Sequence, residues 1–171
     1  MHKGFTLLEL LIVTAIIVLL TALILPNYKS GSHQLALQRS AQKLAQDIRR
    51  AQEMAMSSKK VSGQIPYGFG IHLDSSSEDS YILFADLNNN HHRDAIIDQD
   101  LETIKLESGI KISSLLPVSA FSVVFVSPDP TVWINDASSG VTTAQITLAT
   151  KINLNNKQII SVNNAGLITV E

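Results

Sequence analysis

The chain has 171 residues, no cysteine, 45% hydrophobic residues and a formal net charge of −2. That length holds one ordinary domain with an appendage, and the missing thiol excludes both a disulfide framework and a cysteine nucleophile. The small net charge hides a polarity along the chain. Residues 29–60 carry +5 through Lys29, Arg39, Lys43, Arg49, Arg50, Lys59 and Lys60 against Asp47 and Glu53, whereas residues 61–171 carry −7.

Residues 5–25 form an apolar run dominated by Leu, Ile, Val and Ala. As a helix rising about 1.5 Å per residue, the run measures roughly 30 Å, the thickness of a bilayer's hydrocarbon core. It exceeds the apolar region of a cleaved secretory signal, and it ends in Leu25-Pro26-Asn27-Tyr28 with no small-residue cleavage pattern. A plain signal anchor fits the length but leaves Glu9 unexplained, because an ionised carboxylate in the membrane costs roughly 2.5–3.5 kcal/mol. Such a group needs a partner. A cut between Gly4 and Phe5 gives each copy a new α-amino group at the edge of the run. In a staggered helix bundle, one copy's amine then neutralises the next copy's Glu9.

The stretch Lys3-Gly4-Phe5-Thr6-Leu7-Leu8-Glu9-Leu10 resembles the processing site of type IV pilins and of the pseudopilins of type II secretion. The resemblance implies that prepilin peptidase, a membrane aspartyl protease, cuts after Gly4 and methylates the new N-terminal Phe5. Thr6, Glu9 and Pro26 then serve assembly with other pilin or pseudopilin subunits, and secreted protein cargo is a further implied partner. The implied location is the bacterial inner membrane, crossed once, with the globular part on the periplasmic side until the subunit enters a filament. Charge alone does not set that orientation, since Lys3 and Lys29 flank opposite ends of the run.

Beyond the run, Leu37, Ala41, Leu44, Ile48, Ala51 and Ala55 recur at spacings of three and four residues. They predict an amphipathic stalk over 27–60 that packs on the chain's own domain and leaves its polar face for neighbouring subunits. Pro26 cannot donate to the Ala22 carbonyl and is expected to kink or loosen the helix. The resemblance associates a proline here with local unwinding in the filament. Gly31 is a second soft point, costing about 1 kcal/mol relative to Ala. Ser57, Ser58, Ser62-Gly63 and Pro66 place the helix end near Lys60.

From Tyr67 onward the period changes to two. Strands are expected at 67–73, 81–86, 101–107, 110–112, 121–126, 158–162 and 167–170. The longest alternation, Ile146, Leu148, Thr150, Ile152 and Leu154, predicts the strongest strand, and Asn155-Asn156 and Asn163-Asn164-Ala165-Gly166 predict turns. The fold class is therefore α+β: a long N-terminal helix, membrane-spanning in its first half, packed on a small antiparallel β-sandwich or curved β-sheet. The organisation expected is a leader at 1–4, an assembly helix at 5–26, a stalk at 27–60 and a globular domain at 61–171. Residues 44–52 followed by Tyr67-Gly68-Phe69 look like the minor pseudopilin of the H type, which implies a low-copy subunit with two antiparallel sheets.

One loop invites a metal reading. Asp86, Asn88, Asn90, Asp94 and Asp98 place oxygens at spacings that suit Ca²⁺, but His91 stands where a calcium loop has Gly, and Ile97 where it has a bidentate acid. An Asn-rich solvated turn with no cofactor is the preferred reading. His91-His92 points two rings apart, with no third ligand at a useful spacing. No nucleophile motif, phosphate loop or nucleophile–base–acid set stands out, so no enzyme is expected. Nucleic acid is not expected either, because the globular part at −7 repels it and the basic residues lie on the stalk. The reading is a pilin or pseudopilin subunit near a filament tip. Its alternatives are a signal-anchored outer-surface adhesion or cargo-binding module and, ranked below that, a DNA-uptake minor pilin.

Overall fold

A computed structural model describes residues 4–126, 131–134 and 141–171, with side chains left out of the description for 24–30. One helix, α1 (Leu7–Met56, 50 residues), starts the described fold. Its backbone is helical through Pro26 and Gly31 without interruption. The joint expected at Pro26 falls among side chains outside the described residues. The leader expected at 1–4 likewise lies outside them, apart from Gly4.

The helix ends at Met56, short of the expected Lys60. Ser58 takes a positive φ of 47°, and the Ser57, Ser58 and Lys59 amides donate back to the Glu53, Ala55 and Met54 carbonyls. A left-handed residue after the last turn caps the carbonyls that have no helical partner, so the chain leaves the helix there.

Nine strands follow among the described residues: β1 (Gly68–Asp74), β2 (Ser80–Asp86), β3 (Gln99–Lys105), β4 (Ile110–Leu116), β5 (Ala120–Val126), β6 (Val132–Ile134), β7 (Thr143–Thr150), β8 (Lys157–Asn163) and β9 (Ile168–Val170). They build a five-stranded antiparallel sheet in the order β3-β2-β1-β5-β6 and a four-stranded one in the order β4-β7-β8-β9. The C-terminal half of α1 lies against both sheets. The six expected seam residues, Leu37, Ala41, Leu44, Ile48, Ala51 and Ala55, are all buried. Ala36, Ala45 and Met54 join them, and the alanines let the sheets approach the helix closely.

The inner face of the larger sheet supplies Phe69, Ile71, Leu73, Tyr81, Leu83, Phe121, Val123 and Phe125, all in this core. Its outer face carries Phe84 and Val124, which are also completely buried. Two glycines make that possible. A Cβ on Gly70 would stand 2.6 Å from the Val123 carbonyl oxygen and 3.0 Å from the Phe84 ring, and one on Gly68 would stand 2.8 Å from the Phe125 carbonyl oxygen. Side chains at both positions would push Val124 and Phe84 off the sheet.

Three strand expectations are corrected, and one strand is added. The expected strand through 146–154 stops at Thr150, leaving Ile152 and Leu154 exposed in the turn before β8. The Thr150 hydroxyl donates to the Asn153 carbonyl at 2.7 Å, and the Asn156 amide donates to the same carbonyl. Those bonds close a hairpin that apolar alternation alone does not reveal. Strand β6 was not expected, because three residues are too few to show a period of two. Strand β3 is shifted two residues earlier than 101–107, and β4 runs four residues past Ile112 to Leu116.

Candidate processing and assembly site

Residues 4–6 are exposed and outside any helix or strand, and α1 begins directly after them. Thr6 is the N-cap, with φ −81° and ψ 151°, and its hydroxyl oxygen accepts the Glu9 amide at 3.2 Å. Thr6 and Glu9 thus stand in the spacing of a capping box, with Glu9 in the first turn where a negative charge meets the positive end of the helix dipole. Phe5 precedes the cap and Leu10 follows Glu9, the spacing of a hydrophobic staple. The Gly4–Phe5 bond therefore sits in exposed chain just outside the helix, where a peptidase can reach it. A Cβ on Gly4 would meet nothing within 4 Å. Nothing within the fold therefore asks for glycine at this position.

Every described side chain from 7 to 23 is exposed, including Leu7 at 82%, Leu23 at 73% and Val18 at 66%. The threonine hydroxyls in this stretch are turned inward along the helix. The Thr14 hydroxyl donates to the Leu10 and Leu11 carbonyls at 3.0 Å, and that of Thr21 to the Ile17 carbonyl at 2.7 Å. Back-bonding of this kind leaves no free hydroxyl donor to penalise an apolar neighbourhood. The sequence reading passed over both threonines, and their intervals inside the apolar run were the available signal. Glu9 has no ion pair among the described residues, and Lys3 lies outside them. The span expected over 5–25 begins ahead of the helix and ends among side chains outside the description. Among the described residues, no helix is long and apolar enough to cross a membrane.

The second candidate, the loop after β2, is brought together but turned on itself. Asp86 is completely buried, and its two carboxylate oxygens accept the amides of Asn88, Asn89 and His91 at 2.7–3.1 Å. Asn88 and Asn90 cap the amides of Asn90 and His92, and Asp94 caps that of Ile96. Asp98 accepts the Leu87 and Asp94 amides. Burial pushes the Asp98 carboxyl up, against those two amides and together with the neighbouring charges of Asp86 and Asp94. Among the described residues no group of three or more His, Cys, Asp or Glu side chains is placed to hold a metal.

The reading of this loop as a merely solvated turn is corrected. The loop lies back over the outer face of the larger sheet. The His91 ring stacks on Trp133 of β6 with centroids 4.1 Å apart, and the Arg93 amide donates to the buried Ser122 hydroxyl. The Arg93 guanidinium holds Asp100 with two bonds of 2.7 Å, which lowers the Asp100 carboxyl below the usual carboxylate range. Asp100 and Glu102 are therefore paired acids, the latter with Arg50 of α1 at 2.8 Å.

Residues 1–25 match the family described as the prokaryotic N-terminal methylation motif. No curated protein matches the chain. Among solved structures, the type IV minor pilin FimU of Pseudomonas aeruginosa (strain PAO1) aligns with a TM-score of 0.53 at 14% identity, over 79% of this chain and 87% of that one. Identity that low speaks for the fold, a long N-terminal helix seated on antiparallel sheets. A prokaryotic methylation motif thus heads the long helix of a chain whose fold is similar to that of a type IV minor pilin.

Proposed function

We propose that the chain is a minor subunit of a pilus-like filament, cut after Gly4 by prepilin peptidase, methylated on Phe5, and assembled through the apolar half of α1. The observation that supports this is a helix half whose described side chains are all uncovered, headed by an exposed Gly4–Phe5 bond and a first-turn Glu9. Apolar surface on that scale must be covered by lipid before assembly and by sister helices after it. The subunit is held in the inner membrane by this segment, with its β domain on the periplasmic side. Phe5 supplies the new amine, and Glu9 the carboxylate that meets it on a neighbouring copy.

The role is structural rather than catalytic. A type II secretion pseudopilus, with a subunit of the H type, is the specific system we favour, and secreted cargo is the partner of the exposed β domain. Intact mass of protein recovered from its native membrane tests the core of this reading. The expected species lacks residues 1–4 and carries one extra methyl, and a chain still beginning at Met1 overturns it. Glu9→Val is expected to insert in the membrane normally and to be absent from filaments. Its normal incorporation would sink the charge-pairing role. Deletion mutants assayed in parallel for secretion, twitching and DNA uptake separate the systems, with loss of secretion alone the expected result.

A further inference from the structure

Polar pairs link α1 to β2, to β3 and to the turn after β3, with one gap. Arg39 reaches Glu107 at 3.4 Å, the Tyr81 hydroxyl donates to Asp47 at 2.6 Å, and Arg50 reaches Glu102 at 2.8 Å. Between the first and second of these, Lys43 on the helix faces a cleft of about 230 Å³, and Lys105 at the end of β3 lines the same cleft. A cation stands where the pattern calls for an acid. Neither lysine makes an ion pair or hydrogen bond among the described residues. Arg39 also lines the cleft, with its side chain 64% exposed and its bond to Glu107 long. The remaining lining is Ser40, Tyr81, Leu106 and Glu107, and the Ser40 hydroxyl oxygen is engaged by the Glu107 amide.

Two like charges across one cleft repel each other, and the cost is relieved when an anion enters. The carboxylates of the seam are already engaged: Glu107 by Arg39, Asp47 by Tyr81 and Glu102 by Arg50. We propose that this cleft binds a carboxylate side chain of an acidic segment on a neighbouring protein subunit. The size admits one hydrated carboxylate side chain and little more, and the charge selects for it. The cleft lies on the same helix as the uncovered stretch 7–23, so a subunit packed alongside α1 passes it. That last step rests on the proposed assembly role, whereas the anion preference rests on the cleft alone.

The experiment uses the full chain in detergent micelles with a dye-labelled hexaglutamate peptide, read by fluorescence anisotropy at low ionic strength. Binding is expected to weaken about tenfold when Lys43→Gln and Lys105→Gln are combined, and to fall as salt screens the charges. Lys151→Gln, on the turn after β7, combined with Lys157→Gln, at the start of β8, is expected to leave binding unchanged. Lys105→Glu supplies the missing acid within the chain, so it should abolish capture while the melting temperature holds or rises. Unaltered binding in the Lys43/Lys105 double variant overturns the proposal. Equal capture of a hexaglutamine peptide, or displacement by inorganic phosphate at equal charge concentration, also overturns it, the latter pointing to a small-anion pocket. Capture by the single chain needs neither cleavage nor filament entry, so its failure leaves the proposed function standing. A chain that binds the peptide yet is never processed separates the two the other way.

Discussion

The two halves of α1 are both rich in apolar residues, yet they solve the problem of apolar surface in opposite ways. From 7 to 23 the helix is apolar on all sides, and none of its described side chains is covered by the rest of the chain. From 36 to 55 the apolar residues narrow to a stripe, and the chain's own sheets cover it. The outer face of the larger sheet, a third apolar surface, is covered by the loop after β2. The described chain thus shields both faces of this sheet and leaves one helix half bare. Cover for that half must come from outside the molecule. The contrast separates residues that hold the described fold together from residues that, in the proposed function, hold subunits to each other.

Truncation in each half breaks or sustains that division, with the largest effect expected in the seam. Leu44 is completely buried, so Leu44→Ala should destabilise the β domain by about 2–5 kcal/mol in denaturant unfolding. Ile16, 51% exposed, is its counterpart in the bare half. Ile16→Ala should change the same unfolding free energy by no more than about 0.5 kcal/mol. A comparable loss in both would mean that the bare half contributes to the fold.

Next in size is the outer face. Gly70→Ala places a Cβ against the Val123 carbonyl oxygen and the Phe84 ring, and rigid backbone cannot yield as a flexible side chain would. A loss of about 1–3 kcal/mol is expected by the same unfolding measurement. Asp86→Asn tests the loop that closes this face. It leaves one acceptor oxygen and sets an NH₂ against amides now bonded to the carboxylate, costing about 1–3 kcal/mol. Trp133, the chain's one tryptophan, reports on the loop through the His91 ring stacked upon it. Its fluorescence should change in Asp86→Asn, even under conditions where the sheets stay folded. Unchanged emission would show that the loop closes the face without Asp86.

The seam was legible in the sequence because a helix buried on one side repeats its apolar residues at a fixed interval, and six residues sufficed to place it. Most strands were legible for the same reason at period two. What failed to show was set by particular hydrogen bonds and contacts that an apolar period does not encode. The end of β7 is decided by hydrogen bonds from Thr150 and Asn156 to Asn153, which alternation of Ile152 and Leu154 contradicts. The role of Gly68 and Gly70 depends on Val124 and Phe84 arriving from β5 and β2. In the Asp86 loop, the oxygen spacing suited both a cation and the preferred solvated turn, and it did not show that Asp86 would be buried and bonded to the loop's own amides. The N-terminal methylation motif is a local signal, which is why it was readable within residues 1–25. The capping geometry of Thr6 adds where the helix starts relative to it.

The smallest expected effect concerns how the loop and sheet respond to acid. His72 of β1 faces Ser122 of β5, Nδ1 to Oγ at 3.0 Å, while that hydroxyl oxygen also accepts the Arg93 amide. Both bonds are met when the serine donates to an unprotonated Nδ1, so protonation there breaks the chain of bonds. Burial lowers the His72 pKa below 6.5, and Arg93 and His92 push the same way against Asp74 and Asp100. The sign follows from linkage: the unfolded chain binds a proton more readily than the folded one. The stabilisation from neutral His72 is therefore full above pH 6.5 and is lost as pH falls from there towards the folded-state value. Melting temperatures of the full chain and of His72→Asn, measured from pH 7.5 down to about 5, should converge as the solution becomes more acidic. Parallel curves would place the pH sensitivity of this face elsewhere, with Asp98 the next group to examine, since its raised pKa gives a dependence of the opposite sign.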